Sequence, residues 1–106
     1  MDRVNLAEKL ALFDDHWSPR VVAELNGQHV KLVKFRGEFI WHKHDHEDEF
    51  FYVIEGRWII EMEDRTVDLS PGQGYLVPRG VMHFPKAPVR TVLLMFEGSG
   101  VVPTGD

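Results

Sequence analysis

From Pro19 to Pro85 a turn signal interrupts the chain every 6–12 residues. The signals are Asn26-Gly27, Gly37, the polar run Asp45 to Asp48, Gly56, Asp64-Arg65, Pro71-Gly72, Pro78-Arg79-Gly80 and Pro85. Asn-Gly is a strong hairpin turn because both residues tolerate a positive φ. Between the signals the chain is β-branched, aromatic and period-two, the pattern of strands. Strands are expected over 20–25, 29–35, 39–44, 49–55, 58–63, 66–69, 75–77, 81–84 and 90–96. Some eight or nine short strands with regular turns (about that many suffice) predict an all-β sandwich or barrel.

Ahead of the strands, 5–15 reads as a short helix. Asn5 and Glu8 form a capping pair, and Leu6, Leu10 and Phe13 recur on one face. Ser18-Pro19 ends it, since proline disfavours helix at the residue before it. So short a helix must pack on something. The tail from Gly98 is rich in Gly and Pro and is expected to be loose. No linker or repeat divides the 106 residues, so one domain over 1–106 is expected, with the barrel at about 20–97.

Composition excludes several classes of function. Hydrophobic residues make up 43% and charged residues 27%, which are globular rather than disordered proportions. The absence of cysteine excludes disulfides, iron–sulfur clusters, thiolate zinc sites and a cysteine nucleophile. It is compatible with the cytoplasm, the expected location. The longest apolar runs, Phe50 to Ile54 and Val92 to Phe96, have five residues, against ~20 for a membrane helix. Met1 to Asn5 lacks a basic-then-apolar signal region. A net charge of −5 with only 12 Lys and Arg argues against a nucleic-acid partner. No Ser-His-Asp order, P-loop or glycine-rich dinucleotide motif is present.

The chemistry concentrates in Gly37 to Glu49. Residues two apart on a strand point to one face, so His42, His44 and, by parity, His46 share one. Their Cα atoms recur every ~6.6 Å, close enough for two imidazoles to lean onto one ion. Glu49 opens the next strand, and an antiparallel neighbour ~4.8 Å away can bring its carboxylate to the same ion. Neutral imidazole with carboxylate suits Fe, Mn, Ni, Co or Zn. His83, delivered by the rigid turn Pro78-Arg79-Gly80, is the candidate fourth ligand. His46 falls on the turn beyond the strand and is expected to face solvent, as are His16 and His29.

These residues resemble the cupin superfamily. In its first motif two His flank one residue, and Glu and Gly follow; here His42, His44, Glu49 and Gly56 stand at that spacing. In the second, Gly, Pro, Gly and His recur at the positions of Gly72, Pro78, Gly80 and His83. The resemblance covers roughly 30–97 and is closest to small cupins with the signature Trp-His-x-His-x-x-x-Asp-Glu-x-Phe, here Trp41 to Phe51. Two positions depart from it. Gly37 has four residues before His42 rather than five, and Ala87 stands where Asn is usual. The resemblance implies a double-stranded β-helix, or jelly-roll barrel, with a divalent metal held by His42, His44, Glu49 and His83. It also implies a small-molecule ligand, with dioxygenase or isomerase chemistry among the enzymatic forms. The alternative is a non-catalytic binding or accessory module whose metal is structural.

Phe51 and Val53 share parity with Glu49 and should line the interior. Phe39 and Trp41 should point away from the His face, either under another layer or into a dimer interface. Together with Trp58 they motivate a homodimer. Arg79 and Met82, beside His83, are candidates for a pocket mouth.

Overall fold

A computed structural model describes residues 3–101 and Gly105. It contains one helix, α1 (Leu6–Leu10), and seven strands. These are β1 (Arg20–Leu25), β2 (Gln28–Glu38), β3 (Glu49–Glu55), β4 (Trp58–Met62), β5 (Thr66–Leu69), β6 (Gly74–Val77) and β7 (His83–Gly98). Every pairing is antiparallel. One run of neighbours has the order β1-β2-β7-β3-β6, and β4 joins β7 to β5. No helix among the described residues is long and apolar enough to cross a membrane.

β7 pairs with three strands. Its start, His83 to Lys86, pairs with β4, its later half pairs with β3, and β2 pairs with both parts. The register against β2 jumps between Phe35↔Thr91 and Gly37↔Ala87, so Pro88, Val89 and Arg90 bulge outward and are exposed. The two strands expected at 81–84 and 90–96 are therefore one bent strand. Pro85 does not end it, because proline holds an extended φ and lacks only a donor. Its carbonyl still accepts from Phe39 N–H at 2.9 Å.

The segment 39–44 is not the regular strand expected. β2 continues through Gly37, at φ 92, and the chain after Glu38 is extended but tied at single points. These ties are Phe39 to Pro85, a two-bond bridge between His42 and His83, and Gly80 N–H to the His44 carbonyl at 2.7 Å. The helix is also shorter than 5–15. Asn5 caps it through the Glu8 N–H, but it stops at Leu10. Lys34 on β2 donates to the carbonyls of Leu10 and Phe13, occupying acceptors that another helical turn would use. The tail is less loose than expected where it is described. Ser99 N–H donates to Gly27 O at 3.2 Å, and Val101 is buried. Residues 102–104 and 106 lie outside the described residues.

Alternation sets the core. Phe51 and Val53 point inward with Glu49, as do Trp58, Ile60 and Met62 from β4. Trp58 is 1% exposed, so it is a core residue and not one of the exposed aromatics. Its parity with Ile60 explains why. Phe39 is half-buried against Trp17, which leaves Trp41 as the exposed member of that group.

Gly56 fixes the corner between β3 and β4. Its φ is 92, and a Cβ there would lie 2.6 Å from the Arg90 carbonyl oxygen and 2.7 Å from Thr91 Cα. Both obstacles are backbone. Gly56→Ala is expected to cost about 2–4 kcal/mol in denaturant unfolding. A loss within about 0.5 kcal/mol, the range of ordinary surface changes, would contradict this packing.

Candidate metal centre

His42, His44, Glu49 and His83 converge, all four buried. One ligand atom from each lies within 4.8 Å of the others. Bonds of ~2.1 Å to a common ion span such a gap with slight adjustment. Three different elements supply them. His42 and His44 stand on the extended 39–44 segment, Glu49 opens β3 and His83 opens β7. The His42 amide donates to the His83 carbonyl at 3.0 Å, and the His83 amide returns a bond at 2.8 Å. That bridge brings the two rings to a centroid separation of 4.2 Å.

The ring hydrogen bonds choose the tautomer. His42 Nδ1 lies 2.9 Å from the Ile40 carbonyl, and His83 Nδ1 lies 2.9 Å from the Val81 carbonyl. A carbonyl only accepts, so each Nδ1 carries the proton and each Nε2 keeps its lone pair. Carbonyl support of this kind is what metal-binding histidines ordinarily have. His83 Nε2 and Glu49 Oε1 are buried and make no hydrogen bond among the described residues. They stand 3.5 Å apart, and His44 Nε2 stands 3.6 Å from the same oxygen. Buried lone pairs such as those of His83 Nε2 and Glu49 Oε1 are costly without donors, and a cation would satisfy them. The donor set therefore fits a divalent metal ion.

Two charged residues stand behind this set. Glu97 faces Glu49 across the β3–β7 pair, and Lys31 on β2 donates to Glu97 Oε1 at 2.6 Å. Both are buried. Burial, with the neighbouring Glu49 carboxylate, pushes the Glu97 carboxyl from 4.5 up to about 8, against the pull of Lys31. Sequence reasoning missed both residues. The available signal was parity: Glu97 follows Leu93 and Met95, and Lys31 precedes Val33 and Phe35.

A narrow aromatic slot adjoins the four residues. Phe35, Phe39, Phe51, Trp58 and Met95 wall it, and His42, Glu49 and Glu97 form its polar end. Trp17 and Pro19, from the segment before β1, also line it. The Phe39 ring meets His42 edge-on at 5.2 Å, so Phe39 turns toward the histidines instead of away. The cause is the irregular segment after Gly37, which breaks strict alternation. His46 is exposed on the turn, His16 is exposed, and His29 is half-buried 3.9 Å from Glu24. Arg79 borders a separate polar cavity with His46, Glu47 and Asp48, and Met82 is exposed. Neither lines the slot.

Burial lowers the His42 pKa from 6.5 to about 4, more than its Ile40 bond raises it. A histidine with a lowered pKa binds fewer protons folded than unfolded. Its contribution to stability is complete above pH 6.5 and is lost as pH falls toward about 4. Glu97 runs the other way, with a contribution complete below pH 4.5 and lost as pH rises toward about 8. Thermal unfolding of metal-free protein across pH should show both declines, and Glu97→Gln should remove the alkaline one alone. The same alkaline decline in Glu97→Gln would contradict this assignment.

Comparison with known families matches residues 28–96 to Cupin_2, a cupin domain. The chain is 39% identical over 77 residues to the uncharacterized protein YdbB of Bacillus subtilis (strain 168), covering 72% of this chain and 68% of that protein. Its fold is similar to that of a cupin-2 domain containing protein from Shewanella frigidimarina NCIMB 400, with a TM-score of 0.87 and 43% identity, over 90% of this chain and 93% of that one. Protein NMB1881 from Neisseria meningitidis aligns with a TM-score of 0.83 and 27% identity, over 92% of this chain and 100% of that one. The matched segment runs from β2 to β7 and holds His42, His44, Glu49 and His83. With an antiparallel β fold of this form and that match, the chain belongs to the cupin family, as a small Cupin_2 domain.

Proposed function

We propose that this protein holds one divalent metal ion with His42, His44, Glu49 and His83 and uses it to bind or process a small molecule in the aromatic slot. The convergence of four buried donors, with two imidazoles fixed through Nδ1 to carbonyls, carries the proposal. Fe, Mn, Ni, Co or Zn would suit the donor set. Such an ion supplies Lewis-acid polarisation of a ligand oxygen, or an oxygen-binding centre.

The chain's own residues supply the rest. The carbonyls of Ile40 and Val81 hold the two rings in place. The aromatic walls of the slot offer an apolar surface to the ligand. Glu97, anchored by Lys31, presents a buried carboxyl beside Glu49 at the polar end of the slot. Four protein donors leave positions for a ligand on a six-coordinate ion. A non-catalytic module with a structural metal would close those positions. The slot reaches His42 and Glu49, which favours the open arrangement, of dioxygenase or isomerase type when catalytic.

Metal analysis after purification without a His-tag, and reloading with each of the five metals, tests the proposal. About one ion per chain is expected. His42→Ala, His44→Ala and His83→Ala should each weaken binding by more than about 100-fold, beyond the usual cost of losing an outer partner. Circular dichroism should stay β-rich in all three, since the apolar core is untouched. His46→Ala should bind as the parent does. A protein that loads none of the five metals, or a His46→Ala loss equal to that of His44→Ala, would refute the ligand set.

A further inference from the structure

Trp17 stands on the aromatic slot but comes from outside residues 28–96, the segment shared with the family. Its φ is 66, a left-handed conformation that bulky residues rarely adopt and that tertiary structure must enforce. The enforcing contacts are visible. Its N–H donates to the Lys34 carbonyl at 2.9 Å. Its indole stacks on Phe39 at 5.2 Å, with 12° between the planes, and meets Phe35 edge-on at 4.6 Å. Phe39 belongs to the segment that carries His42, and Phe35 belongs to β2. The indole therefore bridges two elements that border the slot. It is half-buried on the wall of the slot.

Little space remains beneath it. The cavity volume of the slot is about 30 Å³. That accommodates about two waters and no six-membered ring. Yet the walls are rings, and flat conjugated molecules stack on such walls better than puckered ones do.

We propose that Trp17 is the size-selecting residue of this pocket. Its indole closes the slot to ring-sized ligands, and its displacement admits a planar conjugated molecule with an anionic oxygen, which takes the indole's place on Phe39. The oxygen end would then face His42 and Glu49, two of the residues that would hold the metal ion. The stacking position already exists, because the indole occupies it. This selection rests on the metal reading given above and adds the ligand class to it.

The test uses Co(II)-loaded protein, whose visible spectrum reports ligands entering the coordination sphere. Azide, benzoate and cyclohexanecarboxylate are titrated into the parent, Trp17→Phe and Trp17→Ala. Azide should bind all three within about twofold. Benzoate should bind Trp17→Ala at least about tenfold more tightly than the parent, with Trp17→Phe between. Cyclohexanecarboxylate, equal in charge but puckered, should gain less than benzoate. Equal changes for azide and benzoate, weaker benzoate binding in Trp17→Ala, or equal gains for the two acids would overturn the proposal.

A second measurement needs no metal. In a Trp41→Phe background, Trp17→Ala and Trp17→Phe both leave Trp58, which lines the slot, as the sole tryptophan. Acrylamide should quench Trp58 several times more strongly when Trp17 is Ala than when it is Phe. Equal quenching overturns the closure. If Co(II) and the other four metals all fail to load, the metal reading is refuted, and Trp58 quenching then decides the closure by itself.

Discussion

Two backbone hydrogen bonds between His42 and His83 are the constraint on which the site depends. They join the end of an irregular segment to the start of the longest strand. Without them, the backbone ties of residues 39–44 among the described residues would be those of Phe39 to Pro85 and His44 to Gly80, and the two imidazoles would have no common register. Gly80 makes the third tie possible. At φ 78 it turns the chain so that its N–H reaches the His44 carbonyl, placing the second histidine of the pair. Main-chain bonds set the geometry here, and side-chain bonds from Nδ1 to carbonyls then orient the rings.

The interior holds charged residues of types that are almost never buried unless paired. Lys31, Glu49 and Glu97 are buried together, and Glu97 contacts both partners. Burying each charge costs several kcal/mol (about that much after relaxation), and one lysine cannot neutralise two carboxylates. Elevation of the Glu97 pKa is one relief. A cation among Glu49 and the three imidazoles would be another, because it would offset the carboxylate that is not paired with Lys31. The Lys31–Glu97 pair thus belongs to the electrostatics of the site even though neither residue stands among the four donors. A two-element register, Glu49 against Glu97, sets this coupling.

Much of this was legible in the sequence, and the physical reasons are specific. β1, β3 and β5 fall on the residues expected for them, because Asn-Gly, Gly56 and Pro71-Gly72 punctuate the chain chemically. The histidines and Glu49 were legible through parity and spacing, which survive even where the strand is irregular. Glu97 continues the parity of Leu93 and Met95, but it lies one residue beyond the expected strand end, and its opposition to Glu49 is a long-range register. Trp58, offered by the sequence as support for a homodimer, is instead core, as its parity with Ile60 indicates. Phe39 escaped parity because the chain after Gly37 is not a regular strand. The place of Trp17 on the slot depends on packing between distant segments, for which a local pattern holds no signal.

The most direct measurement is X-ray absorption at the metal edge of protein reloaded with Co or Zn. Three imidazole nitrogens and one carboxylate oxygen at about 2.0–2.2 Å are predicted, with the outer-ring scattering of three histidines and further light-atom ligands completing the sphere. Fewer than three imidazoles, or a shell made only of water and carboxylate oxygens, would contradict the account.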